Sequence, residues 1–163
     1  MRIVRQASPP AGVRRLFWRL PIRLYRLGFG RLLGRRFMLL EHVGRTTGLP
    51  RRAVIEAVER SAGGYVAASG FGTRADWYRN VLAKPDVTIH LDGRTIPVTA
   101  APLSAEEGGE VLARYGPAHR IAAWHLCRIM GFAVDGGVED YREAGRHIPF
   151  VRFTPREKPA PPA

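Results

Sequence analysis

Between Arg36 and Pro102 the chain is cut into short apolar runs by turn residues, a cadence that leaves little room for anything but antiparallel β-structure. "RFMLLEHV" is an apolar run, "RRAVIEAVERS" alternates imperfectly, and "YVAAS" is a short buried-type run beyond the turn "AGG". "VTIHL" and "RTIPVTAAP" flank Asp92-Gly93, a dipeptide favoured in two-residue hairpins because both positions take positive φ. The expectation is a β-meander with one inserted helix, "DWYRNVLAK", with Asp76 as its N-cap and Pro85 as its stop. Pro97 marks an edge or a bulge in its strand.

The last third reads as helical. "SAEE", Ser104 to Glu107, is a capping box opening a helix to about Tyr115, and a second helix follows Pro117 through Cys127. "DGGVEDYREAGR" reads as a loop with a short helix, and "IPFVRFTP" as a returning strand. The chain is thus mainly β with helices, an α+β class. Its 163 residues suit one domain. Three stretches follow: a basic segment over residues 1–36, the main domain over 37–154, and a proline-rich, disordered tail over 155–163.

The net charge of +12 is unevenly placed. Met1 to Arg36 carries ten arginines and no acid, whereas the rest has sixteen basic against fourteen acidic residues. The excess therefore describes the partner of one segment and not the chemistry of the core. Within it, Val13, Leu16, Phe17, Leu20, Leu24 and Leu27 recur at helical spacing, with Arg14, Arg15, Arg19, Arg23 and Arg26 between them. Such a basic amphipathic helix over residues 13–36 suits an anionic membrane surface, at about 1 kcal/mol per basic residue near the lipid. A helix packed on its own domain with a solvated arginine face is the equal alternative. Nucleic acid is not the expected partner, because the nearly neutral body offers no second basic stripe.

A lone cysteine, Cys127, excludes an intrachain disulfide and a multi-cysteine metal site, and fits a buried residue in a reducing compartment. No apolar run reaches the roughly 18 residues of a membrane span, so the expected location is cytoplasmic, at most peripheral at the inner membrane face. The five histidines, His42, His90, His119, His125 and His147, show no paired ligand spacing, so no metal is expected. A phosphate loop, a full dinucleotide fingerprint and a Gly-x-Ser-x-Gly elbow are all missing.

Two glycine-rich, anion-friendly turns remain. Gly44 to Gly48 offers backbone N–H groups, the Thr46 and Thr47 hydroxyls and the guanidinium groups of Arg45, Arg51 and Arg52, a set suited to phosphate or carboxylate. Ala68 to Gly72 is made of small residues that let backbone approach a flat ring, and it leads toward a helix N-terminus. Trp77, Asn80 and Val81 stand at i, i+3 and i+4 on that helix and so share a face.

In order, "EHVGRTTGLPRR", "YVAASGFG", "ADWYRNVLAKPDVTIHLDGR", "APLSAEE" and "IPFVRFTP" resemble the nitroreductase family of deazaflavin-dependent oxidoreductases, small split β-barrels that bind coenzyme F420. The resemblance covers about residues 37–153 and is most specific in the pair Gly-Arg-x-x-Gly-x-Pro and Trp-Tyr-x-Asn. It implies a split barrel of about six antiparallel strands with an N-terminal basic helix and C-terminal helices. It also implies hydride transfer from reduced F420 to a hydrophobic quinone, enone or nitroaromatic compound. Arg45, Thr46, Thr47 and Arg51 would hold the coenzyme's anionic tail, Ala68, Ser69, Gly70, Phe71 and Gly72 would line the ring, and Trp77 and Asn80 would close the pocket. The family often has lysine at the position of Thr46 and near Gly70; here Arg52 or Arg74 would substitute. Ser69 is the expected catalytic residue, orienting the ring or assisting proton delivery, and Tyr115 and Tyr141 would line the substrate side. The alternatives are a split barrel binding FMN or haem, a non-catalytic F420 carrier, or a membrane adaptor. A homodimer sharing a barrel face is an expected assembly for this class of fold.

Overall fold

The computed structural model of the chain describes residues 2–3 and 36–156. The basic helix expected over residues 13–36 lies outside the described residues except for Arg36, as does most of the expected tail. In chain order the elements are strand β1 (Arg2–Ile3), β2 (Phe37–Val43), β3 (Pro50–Ser61) and β4 (Gly64–Ala68), followed by a 3-10 turn (Gly72–Arg74) and helix α1 (Asp76–Ala83). Then come β5 (Asp86–Leu91), β6 (Arg94–Pro102), α2 (Ala105–Ala118), α3 (Arg120–Met130), β7 (Phe132–Ala133), α4 (Val138–His147) and β8 (Phe150–Pro155).

Six strands close into an antiparallel barrel in the order β2-β3-β4-β8-β6-β5. The meander expected from the sequence holds for β2-β3-β4 and then fails, because β8 inserts between β4 and β6 while β5 pairs with β2. Closure satisfies the backbone of both outer strands, which an open meander would leave as edges. Pro97 is not at a sheet edge: it pairs with Thr88 of β5, and its carbonyl accepts from the Arg156 N–H at 2.9 Å, so its missing N–H falls at the very end of the β6–β8 ladder, which begins at Val98. Asp92 and Gly93 take φ of 50° and 76°, as the hairpin requires. A two-residue ribbon, β1 with β7, was not legible in the sequence.

Strand alternation divides the apolar residues between two cores. Met38, Leu40, Ile55, Ala57, Val87, Ile89, Val98, Val151 and Phe153 fill the barrel, and α1 plugs one end of it with Ala75, Tyr78 and Val81. The opposite face of β4 and β8, Val66 and Phe150, packs beneath α2, α3 and α4 with Leu112, Cys127, Tyr141 and Ala144. Each fully buried side chain of this size contributes about 1.5–3 kcal/mol, so these two clusters are the main source of stability. Helices α2 and α4 meet backbone to backbone: a β-carbon on Gly145 would lie 2.5 Å from the Gly108 carbonyl oxygen.

The capping box is present, with Ser104 Oγ accepting from the Glu107 N–H at 3.2 Å and the Glu107 carboxylate accepting from the Ser104 N–H at 2.9 Å. That helix runs past Pro117 to Ala118, and the next begins at Arg120 and not at Pro117. Asp76 is not the N-cap of α1. Ala75 holds that position, and the Asp76 carboxylate turns instead to Arg45.

Candidate coenzyme site at the α1 end of the barrel

The last β2–β3 pair is Val43 with Pro50, so Gly44 to Leu49 form a closed turn. It is internally stapled by Gly44 N–H to the Leu49 carbonyl (2.9 Å), Gly48 N–H to the Gly44 carbonyl (2.9 Å) and Leu49 N–H to Thr47 Oγ1 (3.3 Å). Gly48 has φ of +66°, a conformation that costs a non-glycine residue strain.

Asn80, 4% exposed, bolts this turn to α1. Its amide oxygen accepts from the Arg45 backbone N–H at 3.1 Å and from the Arg45 guanidinium at 3.0 Å, and its amide nitrogen lies 3.1 Å from His42 Nδ1. These bonds fix one assignment. The oxygen faces Arg45, the NH2 group donates to an unprotonated Nδ1, and the imidazole carries its hydrogen on Nε2. Burial, with Arg51 adding to it and Asp76 opposing, pushes the His42 pKa down to about 4, so the ring is neutral at physiological pH. The sequence assigns His42 no role beyond the lack of metal-ligand spacing, yet the alternation that sends Met38 and Leu40 inward also sends His42 inward and is the signal that places it here.

The second turn precedes α1. The Ser69 N–H donates to the Pro149 carbonyl (2.8 Å), Gly72 N–H donates to the Ser69 carbonyl (2.9 Å), and Ser69 Oγ donates to the Gly72 carbonyl (2.7 Å). Ser69 is fully buried, so its hydroxyl shapes the turn, and the catalytic role expected of it finds no open face in this geometry. Gly70 and Gly72 lie beside α3, where β-carbons would come within 3.9 Å of Leu126 and 3.7 Å of Met130. Ala68 and Phe71 are partly buried at the margins of the helical and barrel cores. Trp77 packs inward on the barrel core, its ring 6.5 Å from that of Phe153, and Asn80 is buried one turn further along the same helix.

The arginines divide by partner. Arg45 pairs with Asp76 at 3.2 Å and Arg52 pairs with Glu41 at 2.6 Å, two partners the sequence did not reveal. Arg74 is exposed in the 3-10 turn. Arg51 makes no ion pair among the described residues, and the backbone N–H groups of Thr46 and Thr47 have no acceptor there. Two adjacent N–H groups, two hydroxyls and one guanidinium, exposed together, form a set of donors suited to an anion.

Tyr115 and Tyr141 are not brought to this site. Tyr115, 4% exposed, donates to Glu56 at 2.6 Å, accepts from Arg36 and stacks near His119; burial, then Glu56, push its phenol pKa well above the ordinary value. Tyr141, 1% exposed, fills the helical core against Gly116. Both were expected to line the substrate, and both instead hold the cap together. The Cys127 thiol, buried in the same core, is pushed up to about 12 and is no nucleophile. Among the described residues no cluster of metal-binding side chains occurs, and no helix is long and apolar enough to cross a membrane.

A closed six-stranded barrel with two glycine turns and a donor-rich rim at its helix-plugged end defines a split-barrel protein with a candidate site for an anionic coenzyme. The model of the F420H(2)-dependent quinone reductase family matches residues 20–120, which include both turns and α1, and the chain belongs to that family. No curated protein matches the chain significantly. Among solved structures, an F420-H2 dependent reductase (FDR-A) is 21% identical, with 72% of this chain and 94% of that chain covered and a TM-score of 0.50. HutZ, the heme storage protein from Vibrio cholerae, is 15% identical over 83% of this chain and 92% of its own, with a TM-score of 0.53. General Stress Protein 26 from Bacillus anthracis is 13% identical over 84% and 89%, with a TM-score of 0.50. At these identities the likeness is one of fold.

Proposed function

We propose that the chain binds reduced coenzyme F420 at the α1 end of the barrel and reduces a hydrophobic quinone, enone or nitroaromatic compound. The observation that carries this reading is the Asn80 clamp, which fixes the Gly44–Leu49 turn so that the Thr46 and Thr47 donors and Arg51 stand together at the rim. The donor set fits the coenzyme's phosphate and carboxylates, because it is made only of hydrogen-bond donors and a cation.

Bound there, F420 supplies the hydride. Thr46, Thr47 and Arg51 bind its tail. Arg45 and Arg52 lend positive charge that Asp76 and Glu41 partly neutralise, so they contribute less than their number suggests. Ala68, Ser69, Gly70 and Gly72, with Phe71 beside them, line the ring, and Ser69 sets that turn's shape. Trp77 and Asn80 support the site from beneath, the indole by packing on Phe153 and the amide by its three hydrogen bonds. A neutral His42 keeps a second positive charge out of the buried clamp.

The test is a fluorescence titration with F420, with FMN and haemin in parallel, followed by menadione added to the reduced complex. Saturable F420 binding with menadione-dependent reoxidation is expected. Binding of FMN or haemin with no affinity for F420 would replace this reading with one of the alternatives, and F420 binding without reoxidation by any acceptor would leave a carrier.

A further inference from the structure

We propose that α3 is a lipid-docking face that seats the protein on an anionic membrane surface beside the Ser69–Gly72 turn. The helix lies beyond the stretch matched by the family, apart from its first residue. It buries Ala123 and Cys127 in the cap but leaves Ile121 78% exposed, Trp124 43% and Ile129 40%. These three stand at i, i+3 and i+8, a single stripe opposite the buried pair.

The only charged side chains on this helix are bases, and Arg128 and His125 stand between the apolar residues of the stripe. Residues 119–133 contain Arg120, Arg128 and two histidines and no acid. The Arg128 guanidinium lies 5.1 Å from the Trp124 ring centre, and His125 stands edge-on to the same ring at 4.9 Å. An indole paired with a guanidinium beside exposed isoleucines suits the interface of a bilayer, where the ring and aliphatic groups enter the acyl boundary and the cation remains among phosphates.

The chain's topology adds to this charge. Ile3 pairs with Phe132, just past the end of α3, and Arg36 lies 3.3 Å from His119, just before its start. Ile3 and Arg36, which bound a segment of eight arginines and no acid in the sequence, therefore lie at the two ends of this helix. The complementary occupant is an anionic phospholipid surface, to which each nearby basic residue adds attraction. At the Ile129 edge of the stripe α3 also touches the second turn, since a β-carbon at Gly70 would meet Leu126 and Ile129 at 3.9 and 4.0 Å. Docking would thus bring lipid next to the ring-binding turn, where a lipid-soluble acceptor could enter; that use rests on the reductase reading, whereas the docking does not.

The experiment is co-sedimentation of the full chain with phosphatidylglycerol-containing and with pure phosphatidylcholine vesicles. Wild type is compared with the double variant Ile121→Ser/Trp124→Ser and with Val138→Ser, an exposed apolar site on α4 (45%, close to Trp124 at 43%). Melting temperature, elution volume against concentration and F420 titration are recorded for each. The expected result is binding to anionic vesicles only, weakened at least about tenfold in the double variant and unchanged in Val138→Ser, with melting temperatures preserved. Equal vesicle binding by the double variant overturns the proposal, as does no vesicle binding at all. So does a concentration-dependent elution shift that the double variant abolishes, since α3 would then be covered by a second copy. Failure of wild type to bind F420 sinks the reductase reading without touching the vesicle result.

Discussion

The carboxamide of Asn80 holds Arg45 by backbone and side chain at once, accepting from the peptide N–H at 3.1 Å and from the guanidinium at 3.0 Å. One buried amide therefore sets the path of the Gly44–Leu49 turn and the direction of its first arginine. Replacing it by alanine removes an acceptor from Arg45, which keeps Asp76, and leaves the buried His42 Nδ1 without its donor. Asn80→Ala is expected to cost about 2–3 kcal/mol and to weaken F420 binding at least about tenfold, as measured by thermal unfolding and fluorescence titration. Unchanged affinity would separate the clamp from the coenzyme site.

His42 ties stability to pH. Its pKa is about 4 in the fold against 6.5 unfolded, so the unfolded chain binds a proton in that window that the folded chain refuses. Its contribution is complete above pH 6.5 and is lost as pH falls through 4, amounting to about 3 kcal/mol. His42→Gln should flatten the stability profile between pH 6.5 and 4, read from chemical denaturation at several pH values. A profile as steep as wild type would assign the dependence to another group.

Arg51 acts on two groups. Arg51→Ala is expected to lower F420 affinity about five- to tenfold, with the difference shrinking at high salt. Because Arg51 helps to depress the His42 pKa, the same change should raise it, visible in the imidazole resonances on titration. Thr46→Lys should tighten F420 binding by placing a cation beside the donor pair; weaker binding would argue that the tail lies elsewhere.

Ser69 distinguishes shape from catalysis. Its hydroxyl donates to the Gly72 carbonyl at 2.7 Å, and Ser69→Ala should cost about 1–2 kcal/mol of stability and raise KM for F420 more than it lowers kcat. A large fall in kcat at unchanged melting temperature would restore the proton-delivery role.

In the cap, a β-carbon on Gly116 would fall 2.3 Å from the Tyr141 ring. Gly116→Ala should destabilise by about 3 kcal/mol, since both elements are packed from behind and the ring has little room to yield. Calorimetry checks this, and a near-neutral result would show that the cap repacks easily.

What the sequence determined by itself was local. The Asp92-Gly93 hairpin, the Ser104–Glu107 capping box and the Gly48 turn are each encoded by residues a few positions apart, whose φ preferences and hydrogen bonds need no distant partner. The ordered motifs also carried the family and the barrel. Tertiary structure decided the rest. The insertion of β8 between β4 and β6 and the pairing of β5 with β2 depend on barrel closure, which no local pattern reports. The same holds for the arginines: Arg45, Arg51 and Arg52 are alike in sequence, but Asp76 and Glu41 engage two of them and leave Arg51 at the rim. Tyr115 and Tyr141 looked like pocket residues only until folding buried them under the cap, because an aromatic side chain serves a core or a site equally well and burial alone chooses between them.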